Sequence, residues 1–231
     1  MAAEISIIIP TYNEEVGIIT FLTKLQALRP QCELILVDGG SDDDTVLLAE
    51  GLVDDVLNSD KGRALQMNVG AAMATSPILL FLHADTYLPK ETVEQIKQAI
   101  IKGFRWGRFD IKLTGKSIIL TIIAWMMNQR SRLTSIATGD QALFVERDLF
   151  EQLDGFAEIP LMEDIELSSR LKKYGKPYCV KNKVVSSGRR WLSFGVVKTI
   201  LLMWWLRLCY FFGVNPADLE QLYREGRFWK V

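Results

Sequence analysis

The sequence predicts an α/β fold in which a mostly parallel, Rossmann-like central sheet is flanked by helices. Short aliphatic runs alternate with segments of helical period through roughly the first hundred residues. Such βαβ alternation with short connections is typical of a doubly wound parallel sheet. The fourth run is apolar throughout, as expected of a strand covered on both faces. Strands are predicted at residues 5–9, 34–37, 53–57 and 78–82.

Three helices are expected between these strands. The first places Ile18, Leu22 and Leu25 on one face, a shorter helix follows Asp43, and a third carries Leu65. In open sheets of this kind, ligands bind beyond the carboxyl ends of the strands. The polar residues that follow each strand are therefore the first candidates for a binding site.

The second half of the chain has a different pattern. Residues 108–113 alternate apolar and polar side chains, which predicts a half-exposed strand, and residues 117–132 form an apolar helical stretch. A short strand is expected near residues 142–145. A helix is expected over residues 162–174, ending at Gly175.

Composition limits the classes of function. With 27 basic and 28 acidic side chains, the chain lacks the basic excess of a nucleic-acid-binding protein. Cys32, Cys179 and Cys209 are far apart and form no CxxC pair, which indicates reduced thiols rather than a disulfide framework or a zinc site. No basic leader precedes the first strand, so we expect no signal peptide and a cytoplasmic protein. No linker or repeat is visible, and one domain is expected over residues 1–231.

Polar residues follow the first two strands, and a basic residue begins the third helix. Thr11 and Tyr12 come directly after strand one, and Glu14 lies where a helix start favours acids. Asp38 ends strand two before two glycines that allow close approach of a ligand, and its carboxylate suits a nucleobase or a ribose hydroxyl. Arg63 opposes the dipole of the third helix, so a bound diphosphate is one reason for it and simple solvation is the other.

Further candidates lie after strand four and at the start of a later helix. His83, Ala84 and Asp85 follow the strand, and the carboxylate of Asp85 suits Mg²⁺ or Mn²⁺. Glu163 and Asp164 begin the later helix, where the dipole alone favours acids. Adjacent carboxylates point in different directions, so one can face a cleft as a general base while the other braces it.

Five segments in this order and spacing resemble the family 2 glycosyltransferases, inverting enzymes with the GT-A fold. The segments are residues 10–14, 37–45, 61–70, 83–85 and 163–171. The resemblance implies metal-dependent transfer of a sugar from a nucleoside-diphosphate sugar, with UDP-sugars favoured, to an acceptor hydroxyl. It divides the domain into a nucleotide-sugar-binding half (1–113), an acceptor and catalytic-base half (114–188) and an apolar C-terminal helical extension (189–231).

The resemblance also implies a role for each matched residue. Asp85 matches the last acid of the family's metal-binding D-x-D motif and would hold Mn²⁺ or Mg²⁺. Asp164 matches the catalytic base, and Glu163 would orient it. The residues expected to bind the nucleotide-sugar are Thr11, Tyr12, Glu14, Asp38, Arg63, His83 and Ala84.

Two positions depart from the family pattern. His83 stands where the family usually has its first Asp, and Gly39 stands where a second acid is common. Imidazole accepts Mn²⁺ better than Mg²⁺, so His83 either shifts the metal preference or contacts only the sugar or phosphate. In length and ending, the chain looks most like a small bacterial subgroup associated with arsenosugar biosynthesis.

The C-terminal residues 194–214 are very apolar but carry Lys198 and Arg207 on opposite sides of a helix. Burying Arg207 at the centre of a bilayer would cost about 2.5–3.5 kcal/mol, which disfavours a spanning helix. A helix that packs on the domain, forms a homodimer or lies as a peripheral contact on the inner face of the membrane stays open. Just upstream, Arg190 is interpreted as a diphosphate contact, with a solvated basic pair as the alternative.

Three competing functions are weighed against this one. A nucleotidyltransferase usually has a Gly-rich basic loop after strand one, and residues 10–13 are not that loop. A dehydrogenase is disfavoured because no GxGxxG follows that strand. A catalytically degenerate, membrane-associated nucleotide-binding module would follow from the departures at His83 and Gly39, but Asp85 and Asp164 are intact.

Overall fold

The computed structural model of the protein describes residues 3–115, 117–188 and 195–228. Its strands are β1 (Ile5–Thr11), β2 (Cys32–Asp38), β3 (Asp55–Asn58), β4 (Ile78–Phe81), β5 (Thr86–Tyr87), β6 (Trp106–Leu113), β7 (Phe144–Glu146) and β8 (Tyr178–Ser186). They form one curled sheet with the spatial order β3-β2-β1-β4-β7-β6-β8-β5. The predicted α/β class with a mostly parallel central sheet is confirmed.

Helices cover both faces of this sheet. They are α1 (Glu15–Leu25), α2 (Thr45–Ala49), α3 (Arg63–Met73), α4 (Thr92–Ile101), α5 (Ile118–Thr134), α6 (Arg147–Gln152), α7 (Glu163–Leu171), α8 (Val196–Phe211) and α9 (Pro216–Glu225). Alternate residues of the central strands pack into two cores, one on each face. In β1, Ile7 packs into one core and Ile8 into the other, which explains why these strands are apolar throughout.

The first four strands follow the predicted βαβ pattern. β1 pairs in parallel with β2 on one side and with β4 on the other, so the strand order reverses at β1. Thr11 lies beside Asp38 at the carboxyl ends of β1 and β2. Gly70 lets α3 pack closely on this sheet, because a methyl group there would lie 2.5 Å from the side chain of Ile8. The reversal at β1 is the crevice in which such folds bind ligands.

β7 runs antiparallel to β4, and this places a second set of residues at the same edge. The backbone N–H of Phe81 donates to the carbonyl of Leu143, which stands just before β7. A short 3₁₀ helix at Gly139–Gln141 precedes this point. The residues that enter β7 therefore lie beside the residues that leave β4.

The strand predicted over residues 108–113 is present within β6, but the prediction that it is half-exposed is wrong, because only Lys112 of its three polar side chains is exposed. Arg108 is fully buried and Asp110 is 7% exposed, and the two form a salt bridge with each other. The reason is α5, which covers this face: its Arg132 pairs with Asp110, and its Asn128 bonds the backbone of Ile111. The alternation of charged and apolar residues thus reflects a buried ion-pair network, not solvent on one face.

Several elements were not predicted from the sequence. These are α4, α6, α9 and the strands β5 and β8. β8 pairs in parallel with β6 and in antiparallel with β5, and its outward side chains include exposed Lys181 and Lys183. These charges interrupt the apolar pattern that would have marked the strand.

The two C-terminal helices pack on each other and on the start of α7. Leu202 and Leu206 of α8 form a small core with Leu219 and Leu222 of α9 and with Met162. Part of α8 stays exposed, including Trp204 and Phe211. Among the described residues, no helix combines the length and apolarity needed to cross a bilayer.

Candidate active site

Two cavities meet at the carboxyl edge of the sheet. The first, here called the strand-end cavity, has a volume of about 620 Å³ and lies beyond β1 at the start of α3. The second, here called the helix cavity, has a volume of about 750 Å³ and lies among α5, α7 and α8. Residues that line both cavities are Arg63, His83, Asp85, Leu161 and Tyr223. The two cavities therefore form one cleft with these five residues at its centre.

The strand-end cavity contains most of the residues predicted to bind a nucleotide-sugar. Thr11, Tyr12, Glu14 and Ala84 line it, and so do Arg63, His83 and Asp85 at the centre of the cleft. The ammonium group of Lys61 lies 3.5 Å from the ring centroid of Tyr12, a cation–π contact at the cavity wall. An aromatic ring beside a cation is suited to a nucleobase and its phosphates.

Asp38 lies differently from the other predicted contacts, because it does not line either cavity. It is 2% exposed, and its Oδ2 accepts hydrogen bonds from the backbone N–H groups of Gly40 (2.9 Å) and Ser41 (2.7 Å). Its carboxylate thus shapes the glycine turn after β2. A role in binding nucleotide stays a prediction that would require this turn to open.

Arg63 is the positive group at the centre of the cleft. Its side chain is exposed to solvent in the cleft, where partial desolvation opposes its charge, but nearby Glu163, Tyr223, Asp164 and Asp85 together raise the pKa of the guanidinium. It therefore stays charged at every relevant pH. It fits the predicted role as a phosphate contact, since it reaches both cavities.

His83 is a neutral imidazole packed against a glycine. Burial and the charge of Arg63 lower the pKa of His83 to about 3. Its Nε2 is buried and has no hydrogen-bond partner among the described residues. A methyl group added at Gly139 would lie 2.5 Å from Cε1 and Nε2 of this ring. His83 and Gly139 are thus in direct contact.

Asp85 lies in the turn between β4 and β5, half-buried, where both cavities reach it. The hydroxyl of Thr86 is 3.3 Å from its Oδ1. Among the described residues, no group of three His, Cys, Asp or Glu side chains is arranged to hold a metal ion. Asp85 therefore fits a cation only as a shared ligand: Mg²⁺ and Mn²⁺ are commonly held by one or two carboxylates together with substrate phosphates and water.

Asp164, the predicted base, faces the helix cavity from the first turn of α7. Its Oδ2 accepts a hydrogen bond of 2.9 Å from the backbone N–H of Gly139, and its Oδ1 accepts one of 2.7 Å from Ile165. The residue before the helix, Met162, has a left-handed backbone (φ 73°) and is buried in the small C-terminal core. Packing on α8 and α9 therefore fixes the start of the helix that carries Asp164.

Glu163 lies next to Asp164 and is 5% exposed. Burial and the charge of Asp164 raise the pKa of Glu163 to about 7, although Arg63 opposes the shift. Its predicted role in orienting Asp164 stays a prediction.

Removal of the Glu163 charge tests this pKa. Because the folded value of about 7 lies above the ordinary value of 4.5, the carboxyl favours folding at low pH and loses that contribution as pH rises through 7. We expect Glu163→Gln to match the wild type below about pH 4 and to be more stable above about pH 8, by on the order of 3 kcal/mol. Thermal unfolding of the ligand-free proteins across this range measures the difference. A gap that does not change with pH would contradict the assigned pKa.

Sequence reasoning missed the residues that enter β7 and the cations of α5 and α8. Thr138, Gly139 and Asp140 line the helix cavity together with Arg130 and Arg207. A signal was present in the run of Gly and Asp before the predicted short strand. The sequence alone could not place this run in the site, because only the antiparallel direction of β7 brings it to the carboxyl edge of the sheet.

One predicted contact, Arg190, lies outside the described residues, as do its neighbours Arg189 and Trp191. The interpretation of this segment as a diphosphate or acceptor contact stays a prediction.

The curled sheet and the cleft at its strand ends define an α/β protein of the GT-A class. Residues 6–117, just under half of the chain, match the family model "Glycosyl transferase family 2". An undecaprenyl-phosphate 4-deoxy-4-formamido-L-arabinose transferase of Aeromonas hydrophila is 30% identical over 112 residues, which cover 43% of this chain and 34% of that protein. The chain thus spans about a third of the length of the curated relatives it matches. The family domain and these relatives support the prediction of a glycosyltransferase.

Solved structures of glycosyltransferases share this fold. S. aureus TarS in complex with UDP superposes with a TM-score of 0.65 at 19% identity, over 80% of this chain and 60% of that chain. The mannosyltransferase PcManGT from Pyrobaculum calidifontis, in complex with GDP-Man and Mn²⁺, superposes with a TM-score of 0.66 at 17% identity, over 90% of this chain and 62% of that chain. At these identities the likeness establishes the fold alone.

Proposed function

We propose that this protein is an inverting glycosyltransferase that moves a sugar from a nucleoside-diphosphate sugar to an acceptor hydroxyl. One observation carries the proposal: Arg63, suited to a diphosphate, and Asp85, suited to a divalent cation, line the same cavity as Asp164, which two backbone N–H groups orient. Phosphate contacts and a positioned base in one cleft are what direct displacement at an anomeric carbon requires.

In this proposal the donor and the acceptor meet at the centre of the cleft. The nucleotide lies in the strand-end cavity against Tyr12, with its diphosphate beside Arg63. Asp164 takes the proton of the acceptor hydroxyl, whose oxygen forms a bond to the anomeric carbon as the bond from that carbon to the diphosphate oxygen breaks. Arg63 stabilises the charge on the departing nucleoside diphosphate. A divalent cation bound by Asp85 would add Lewis-acid neutralisation of the same leaving group.

Nucleotide binding tests the proposal without needing the acceptor. We expect UDP or GDP to raise the melting temperature of the wild type, and Mn²⁺ to tighten nucleotide binding by at least about tenfold. Asp85→Asn is expected to abolish the gain from Mn²⁺ while retaining metal-free binding. Titration calorimetry with and without Mn²⁺ measures both quantities.

The matched control is Asp60→Asn, which removes an exposed carboxylate that lines neither cavity. It is expected to bind nucleotide and Mn²⁺ like the wild type. If no nucleoside diphosphate or nucleotide-sugar bound under any of these conditions, the proposed function would be wrong. If binding occurred but Mn²⁺ gave an equal gain in Asp85→Asn, the metal role of Asp85 would be wrong.

A further inference from the structure

Arg130 of α5 is a buried cation that the carboxylates of Asp140 and Asp164 attract without a hydrogen bond among the described residues. All three guanidinium nitrogens are buried, and none has a hydrogen-bond partner among the described residues. Burial and the like charge of Arg207 lower the pKa of Arg130 to about 10, so the side chain is still charged at neutral pH. A buried charge left unpaired is costly, which indicates that a ligand provides the missing acceptor atoms.

A second cation, Arg207 of α8, lines the same cavity. Asp140 and Asp164 act on it through charge alone, without a hydrogen bond. Asp140 does not neutralise the pair by contact either: its Oδ1 is buried without a partner, and burial raises its pKa. The part of the helix cavity near α5 and α8 therefore presents two guanidinium groups whose N–H groups can donate hydrogen bonds to the oxygens of an anion.

The walls around these cations are apolar. Met126 and Met127 of α5 face Met203 and Trp204 of α8 across the helix cavity, with Phe211 nearby. Met126 is 37% exposed, Trp204 57% and Phe211 82%, so the cavity opens onto an exposed apolar surface of both helices. A ligand that satisfied only the cations would leave this surface in water, and a purely apolar ligand would leave the cations unpaired.

We propose that the helix cavity binds an acceptor that carries, besides the hydroxyl that reacts, a compact anionic group and a long apolar body. The anionic group, of the phosphate monoester type, binds Arg130 and Arg207, and the apolar body lies along Met126, Trp204 and Phe211. The identification of this molecule as the acceptor rests on the proposed function, since Asp164 faces the same cavity. The presence of the binding site does not depend on it.

Octyl phosphate is a suitable probe, used below its micellar concentration with the full chain and titration calorimetry. We expect it to bind at least about tenfold more tightly than octyl glucoside, which has a neutral head, and than inorganic phosphate, which has no apolar body. Arg130→Met and Arg207→Met are each expected to weaken octyl phosphate binding by at least about tenfold. Lys198→Met removes an exposed cation from the same helix as Arg207 and should have no effect.

Melting temperatures separate binding from folding. Arg130→Met should be as stable as the wild type or more stable, because methionine removes an unpaired buried charge and keeps most of the volume. If Arg130→Met failed to fold, Arg207→Met would carry the test. Equal binding of octyl glucoside or inorganic phosphate, or unchanged affinity in both arginine variants, would overturn the proposal.

UDP distinguishes this site from the diphosphate site. Octyl phosphate should bind with the same affinity in the presence of saturating UDP, and Arg130→Met should still bind UDP. Competition between the two would overturn the separate site. A wild type that bound octyl phosphate but no nucleotide would reject the proposed function and leave the anion site standing.

Discussion

Replacement of Asp164 by Asn is expected to lower turnover by about 10²–10⁴-fold, the usual contribution of a general base. Asparagine keeps an oxygen that can accept the 2.9 Å hydrogen bond from Gly139, so the geometry of the α7 start should persist. It cannot take a proton from the acceptor. The loss should therefore fall on kcat, with nucleotide affinity unchanged. Release of nucleoside diphosphate across a panel of UDP- and GDP-sugars, with Mn²⁺, is the measurement.

The chain offers a closely matched control for this variant. Asp148 is also the second residue of its helix, α6, and its Oδ1 accepts a 2.8 Å hydrogen bond from the next backbone N–H, as in Asp164. Its side chain is 77% exposed and lies outside both cavities. Asp148→Asn should turn over like the wild type. Should Asp164→Asn retain most of the activity, the assignment of the base would have to be abandoned.

Substitution of Gly139 by Ala is expected to reduce turnover about 10²-fold. This is the loss expected when a catalytic group is displaced by about 1 Å. The added methyl group would lie 2.5 Å from the imidazole of His83, so the ring or the loop must move. The N–H of the same residue orients Asp164, and movement of the loop displaces that hydrogen bond. We expect kcat to fall more than nucleotide affinity. Steady-state kinetics on the variant provide the measurement.

A double variant shows whether the clash with His83 is the cause. In a His83→Ala background the methyl group has room, so adding Gly139→Ala should cost less than about threefold. Gly17→Ala is the matched control, because a methyl group there meets nothing within 4 Å. It should be neutral or slightly stabilising, since alanine favours the helix over glycine. An equal loss from Gly139→Ala with and without His83 would rule out the contact as the reason.

The sequence predicted the parallel half of the fold well, and the reason lies in the strands themselves. The strands β1, β2 and β4 are buried on both faces, so each has a long apolar run, and parallel strands bring Thr11 and Asp38 to one edge. Asp85 could be predicted by the same rule. A carboxylate at a strand end can have a purely structural role, however, and Asp38 bonds its own turn.

The second half was harder to predict because its pattern depends on partners distant in sequence. Arg108 and Asp110 read as surface residues, yet α5 buries them as an ion pair. Gly139 reaches Asp164 only because β7 runs against β4. Arg130 lies in a helix that was predicted correctly, but no local pattern shows which of its polar residues faces a cavity.

The position of Met162 has a consequence for how such a protein can diverge. A left-handed backbone at a non-glycine residue costs about 1–3 kcal/mol and persists only where the surroundings impose it. Met162 packs against Leu202, Leu206, Leu219 and Leu222, and all four lie beyond residues 6–117, the part that matches the family model. We infer that substitutions in the last two helices alter the packing that holds the left-handed backbone of Met162, two residues before Asp164. Substitutions at these four leucines would therefore act on the backbone beside Asp164, although none of the four lines either cavity.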